Sequence, residues 1–295
     1  MSETYPTVDP VVTDALIDRV TTQITRDTFD PDDHDLLKQL VESFGDTRGL
    51  VRLRLASTLG EIGDPATPCL LDALAHHVNP VVRRACAKTL TLIADPATVP
   101  QLVQALLTDE DTVVKGSAIG ALARLGSASV PPLLEILADP ARPQSMKGHA
   151  AWALAFIGAA AKEYLYPAMA SDSPAVRGAV IGAIAKVAQE DPQPDLFAIL
   201  INALADRDTD VRCEAAAALG NLAYQPALPQ LTALLQHPDW VTRKAGALAL
   251  MKVGDHSAIA TLQTALTTEP EAAVQPVIKL AIAQLERQSA TDDWV

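Results

Sequence analysis

Asn79-Pro80-Val81-Val82-Arg83-Arg84-Ala85-Cys86-Ala87, followed by Ala94-Asp95-Pro96-Ala97-Thr98-Val99-Pro100-Gln101-Leu102-Val103-Gln104-Ala105-Leu106, decides the fold of this 295-residue chain. The Asn-Pro turn opens a first helix of small and apolar residues, because Asn satisfies a free amide and Pro suits the first turn. The Asp-Pro turn then opens a second helix, whose apolar residues recur at helical spacing and give it one buried face. The same unit is written about seven times. Its basic residue, just after an apolar anchor, returns at Arg52, Arg83, Lys115, Lys147, Arg177, Arg212 and Arg243, with a weaker eighth copy at Gln275. Successive anchors lie 30 to 35 residues apart, the spacing of a stacked helical repeat. An all-α solenoid follows, with a core that runs as a continuous strip between neighbouring units.

Composition narrows the function. The formal charge is −13, and Lys and Arg are spread one or two per repeat, so no basic stripe is available for a phosphate backbone and nucleic acid is not expected as a partner. No segment holds the ~18 uninterrupted apolar residues that a membrane span needs. Residues 1–13 carry acids and prolines where a signal peptide would be basic and then apolar, so a cytoplasmic protein is expected. Three cysteines, widely spaced, are too few for a disulfide framework.

The repeats are expected over residues 49–287. A helical cap is expected over 14–48, as two helices from Asp14 to Thr28 and from Asp32 to Phe44. Residues 1–13 and 288–295 are expected as mobile tails, the latter ending on Trp294 as a docking peptide or a packed terminal turn. The repeated arginines and the Asp of Gly63-Asp64, Ala94-Asp95 and Gly254-Asp255 are expected to pair as a ladder between units. Gly60, Gly63, Gly126, Gly158, Gly220 and Gly254 suit close helix contacts or left-handed helix ends.

The string Asp-Pro-x-Val-Arg-x-x-Ala-Ala-x-Ala-Leu-Gly, then Gly-Asp-Pro-x-Ala-x-Pro-x-Leu, stands best at Asp210 to Gly220 and at Gly60 to Leu70. It resembles the HEAT-like repeat of the phycobilisome lyase type, over about residues 49 to 287, and the chain is most similar to the stand-alone cyanobacterial members associated with iron–sulfur carriers. The resemblance implies an α-α superhelix with first helices outside and second helices lining a concave face. Members include bilin lyase subunits, phycobilisome-degradation factors and proteins associated with iron–sulfur carriers. Deoxyhypusine hydroxylases of similar architecture need paired His-Glu motifs, yet none of His34, His76, His77, His149, His237 or His256 precedes a Glu.

Departures between repeats mark the candidate site. Two stripes on the second helices, running through Cys69, Gln101, Tyr164 and Ile199 and through Asp72, Gln104, Glu135 and Asn202, are polar and suit a protein partner. The unit from Lys147 to Met169 gathers Trp152, Phe156, Tyr164 and Tyr166, four of eleven aromatics, beside His149. Trp152 and Phe156 either fill core space left by small residues or anchor an interface. Gln101, Glu135, Lys147, His149, Trp152, Tyr164, Tyr166 and Asn202 are therefore the expected protein-binding set. Cys86 aligns with core positions. Cys213 aligns with an exposed first turn beside Arg212, which favours its thiolate, and with Cys69 it is the candidate metal ligand, shared with a partner. No Cys-x-x-Cys, phosphate loop or catalytic triad is present.

The function expected from these readings is a non-enzymatic adaptor with no cofactor of its own. Its partner is an iron–sulfur carrier or a phycobiliprotein subunit, with a cluster or bilin held jointly in a hetero-oligomer. The alternative is a bilin lyase-like or phycobilisome-degradation subunit.

Overall fold

The computed structural model describes the backbone of residues 8–292 and the side chains of 8–288. The chain divides between Pro132 and Leu133 into two compact units. Every regular element among the described residues is helical, and each unit is a two-layer helical stack.

In the first unit, α1 (Pro10–Thr25), α3 (Gly49–Ile62), α5 (Pro80–Ile93) and α7 (Thr112–Arg124) stack as one layer. The other layer holds α2 (His34–Glu42), α4 (Thr67–His76) and α6 (Val99–Thr108), and α8 (Val130–Ala138) follows at the division. Leu55, Leu59, Leu70, Leu90, Leu102 and Leu106 are buried between the layers. α1 starts at Pro10, inside the stretch expected as a tail, because Asp9 accepts the Val11 amide at 2.9 Å and Pro10 fits the first helical turn.

In the second unit the first layer is α9 (Gln144–Ile157), α11 (Pro174–Glu190), α13 (Thr209–Asn221), α15 (Trp240–Val253) and α17 (Gln275–Asp292). The second is α10 (Lys162–Ala168), α12 (Pro194–Ala203), α14 (Leu228–Ala233) and α16 (Ala258–Thr268). α17 continues through Asp292, so the tail expected from 288 is helical there, and Trp294 lies outside the described residues.

Close packing within a layer depends on small residues. A Cβ added at Gly220 of α13 would come within 3.0 Å of the Ala249 Cα on α15, and one at Gly60 within 3.0 Å of the Leu92 Cβ. Gly63 and Gly254 end α3 and α15 at φ 74° and 79°, where a side chain is strained.

The repeated basic residue is a staple with two ends. One end closes its own repeat: Nη1 of Arg83, Arg177, Arg212 and Arg243 donates at 2.8–2.9 Å to the carbonyl six residues earlier. Arg52 donates in the same way to Asp46. Gln275, the weak eighth copy, keeps this bond to the Glu269 carbonyl at 2.9 Å. The other end reaches the next turn. Arg83 grips Asp109, Arg177 grips Asp206, and Arg243 grips Glu269, each through two nitrogens at 2.7–2.9 Å. Arg212 meets Asp239 at 3.2 Å and the Thr242 hydroxyl at 3.1 Å.

The expected ladder therefore exists with different acids. Asp95 and Asp255 instead accept backbone amides of their own short turns, from Ala97 and Ser257. Asp64 opens a 3-10 turn.

Candidate functional site

α9 buries Met146, Ala150, Ala153, Leu154 and Ile157, which leaves His149, Trp152 and Phe156 on its opposite face at helical spacing. Trp152 is 52% exposed and Phe156 53%, with ring centroids 5.5 Å apart and planes tilted by 32°. The core-filling reading of this pair is thus overturned. Phe44 and Phe197 do occupy core positions, so burial is decided by the helix face a ring stands on, and α9 turns Trp152 and Phe156 away from its buried residues. An adjacent exposed Trp and Phe leave part of a transfer free energy of ~2 kcal/mol each unrealised in the free chain.

Tyr164 and Tyr166 lie on the other layer, at the surface of α10. The Tyr166 hydroxyl donates to Asp195 Oδ2 at 2.7 Å. Burial, then that carboxylate, pushes the phenol up to about 12. Tyr166, Met169, Ile199, Asn202, Ala203 and Asp206 line an open 330 Å³ hollow beside α10 and α12. The aromatic repeat read as one surface is therefore two, with His149 and Trp152 on the first-helix layer and Tyr164, Tyr166 and Asn202 on the second. Glu135 is exposed on α8, and Lys147 is half-buried on α9. A stacked pair that the sequence reading missed, Phe197 on Tyr224 at 3.8 Å between centroids, closes the end of α12. The turn at Ala223 (φ 48°) aims Tyr224, and nothing in the residue pattern announces it.

In the first unit the second-helix face carries two hollows. Between α2 and α4, a 530 Å³ groove is lined by His34, Lys38, Glu42, Cys69, Asp72, His76 and His77. His77 Nε2 meets Glu42 at 3.1 Å while its Nδ1 accepts the Asn79 amide at 3.0 Å, and His76 meets Asp72 at 3.0 Å. Between α4 and α6, Gln101, Gln104, Thr108 and Asp109 line a second hollow of 470 Å³.

The thiols are not activated. Burial pushes Cys69 up, Asp72 adds to this, and Lys38 opposes it. Cys86 is fully buried, and its thiol is pushed far up. Cys213 is half-buried under α15, its Sγ 3.9 Å from the Val241 carbonyl. Burial, then Asp239 and Asp210, raise its thiol against the effect of Arg212, so the expected thiolate is not favoured. The leading reason is that the sulfur is half-buried rather than exposed at a first turn, and the nearby carboxylates outweigh Arg212. Among the described residues no group of three or more His, Cys, Asp or Glu could hold a metal ion. No helix among them is long and apolar enough to cross a membrane.

Comparison with known proteins agrees with this architecture. HEAT repeats match residues 35–123, 67–145 and 197–283. The chain is 37% identical over 254 residues to the bilin biosynthesis protein MpeU of Synechococcus sp. (strain WH8020), covering 86% of each sequence. Among solved structures it resembles Kap121p bound to the extreme C-terminus of the protein phosphatase Cdc14p, at TM-score 0.59 and 15% identity. The match covers 97% of this chain and 38% of that one, and it shows the fold alone.

Proposed function

Since the chain belongs to the HEAT-repeat family, we propose that it is a bilin lyase-like protein that handles a phycobiliprotein chromophore. The observation that carries this reading is the 37% identity, across 86% of both sequences, with a bilin biosynthesis protein. It supports the lyase-like alternative over the adaptor for an iron–sulfur carrier. The surface chemistry is compatible. The exposed Trp152–Phe156 pair supplies a rigid aromatic anchor of the kind that dominates protein interfaces, and His149 beside it supplies a polar contact. Within the second unit, the second-helix layer adds the exposed polar groups of Tyr164, Tyr166 and Asn202, and Gln101 is exposed on the corresponding layer of the first unit. The substrate in this reading is a phycobiliprotein subunit together with free bilin, and the chain brings the two together.

Co-expression with a phycobiliprotein subunit and a bilin-producing pathway tests this. The subunit purified from cells holding the chain is expected to carry bilin absorbance, which Trp152→Ala with Phe156→Ala reduces about tenfold or more. Equal pigment on the subunit with and without the chain would contradict the proposal.

A further inference from the structure

On the first-helix layer of the first unit, α3 and α5 enclose a 350 Å³ groove. Its floor and walls are Leu53, Ala56, Val81, Ala85 and Leu92, and its polar lining is three cations, Arg52, Arg84 and Lys88. No carboxylate lines it, in a chain whose formal charge is −13. Arg84 and Lys88 are uncommitted, whereas Arg52 is held by Asp46, whose carboxyl also feels its charge. Among the described residues Arg84 and Lys88 have no side-chain hydrogen bond or ion pair, and Arg52 gives a single Nη1 bond to the Asp46 carbonyl. Arg52 lacks the carboxylate rung that Arg83, Arg177 and Arg243 have, because the equivalent turn position is His77, whose imidazole is engaged by Glu42 and the Asn79 amide. The neighbouring Arg54, by contrast, is neutralised by Asp18 at 2.8 Å. Leu53 and Leu92 extend the apolar floor out to solvent.

Resting on the bilin reading above, we infer that this groove is a bilin-binding site that holds the pigment by its two propionates. A linear tetrapyrrole is a flat apolar body with two carboxylates on neighbouring rings. The groove presents the complement, an apolar floor lined by three cationic side chains, of which Arg84 and Lys88 keep their donors for a ligand. Arginine pairs with a carboxylate through two parallel hydrogen bonds, and these are stronger beside an apolar surface than in water. An acidic protein segment is the rival occupant. It is disfavoured because cations beside one apolar groove match two neighbouring carboxylates on an apolar body better than charges spread along a chain.

The test uses the purified full-length chain and biliverdin, followed by the pigment's absorbance shift, with biliverdin dimethyl ester as the uncharged comparison. Arg84→Glu and Lys88→Glu are the variants, and Arg84→Gln serves as a milder one; circular dichroism verifies each fold. The inference predicts saturable biliverdin binding that weakens with salt. It also predicts at least about a tenfold loss for the diester and for each charge reversal. Undiminished binding by the Glu variants would overturn the site and leave the proposed function standing. So would a chain that loads pigment onto a phycobiliprotein subunit yet binds no biliverdin itself. Loss of subunit capture by Arg84→Glu with biliverdin binding intact would assign the groove to protein contact and overturn it as a bilin site. A chain that neither binds biliverdin nor loads the subunit removes both readings.

Discussion

Ala94 ends α5 in the left-handed conformation, at φ 59° and ψ 30°, where Gly63 and Gly254 end the corresponding helices. A Cβ there costs about 1 kcal/mol, so Ala94→Gly is expected to raise unfolding stability by about that amount in a urea titration. Gly220 makes the opposite case. Its missing Cβ lets α13 approach Ala249 on α15, and Gly220→Ala is expected to destabilise by about 1–3 kcal/mol through overpacking. The sequence announced the role of Gly220, a glycine on a small-residue face, but not that of Ala94, since an alanine at a helix end gives no sign of a left-handed turn. It did not announce the exposure of Trp152. Periodicity says that positions 149, 152 and 156 share a face, but the same spacing fits a buried stripe. Trp152→Ala is therefore expected to change stability by no more than about 0.5 kcal/mol, where a core Trp would cost about 3–5 kcal/mol. Thermal unfolding of the variant separates these outcomes.

Between elements, the arginine staple converts a sequence period into a mechanical connection. Arg177 and Asp206 are both nearly buried, as are Arg243 and Glu269. Removing one partner leaves a buried charge without its counterion, so Arg243→Ala is expected to cost about 3 kcal/mol by chemical denaturation. The same pairs set an acid limit. Arg177 holds the Asp206 carboxyl below its ordinary value, and Arg243 does so for Glu269. Because these folded-state values are depressed, the stabilisation is complete above the ordinary carboxylate range near pH ~4 and is lost as pH falls through the depressed values. Stability measured from pH 7 to pH 3 is expected to fall, with a shallower fall in Arg243→Ala. The period of the ladder was legible from its regular arginines. Its acids were not, because Asp64, Asp95 and Asp255 sit nearer in sequence to the next helix. Only the folded register shows that the rung is completed 26 to 29 residues after the arginine.

At the scale of the whole molecule, the HEAT-like all-α fold was readable from a single repeat, since a unit that cannot bury its own apolar face must stack on copies of itself. The candidate site was only partly readable. Trp152, Phe156, Tyr164 and Tyr166 stood out as departures from the repeat, but first and second helices present different layers, so residues within one unit fall on two surfaces. The acid-free groove of Arg52, Arg84 and Lys88 was hidden altogether. These cations are ordinary repeat residues, and the groove is distinguished by the carboxylates that do not line it and by His77 in place of a rung acid. The most direct test of the bilin reading combines purified chain, free bilin and an unpigmented phycobiliprotein subunit, and reads pigment fluorescence on the subunit after a denaturing gel. Denaturation-resistant pigment is expected on the subunit, forming faster or more completely with the chain present than without it. Identical pigment attachment in both reactions would contradict it.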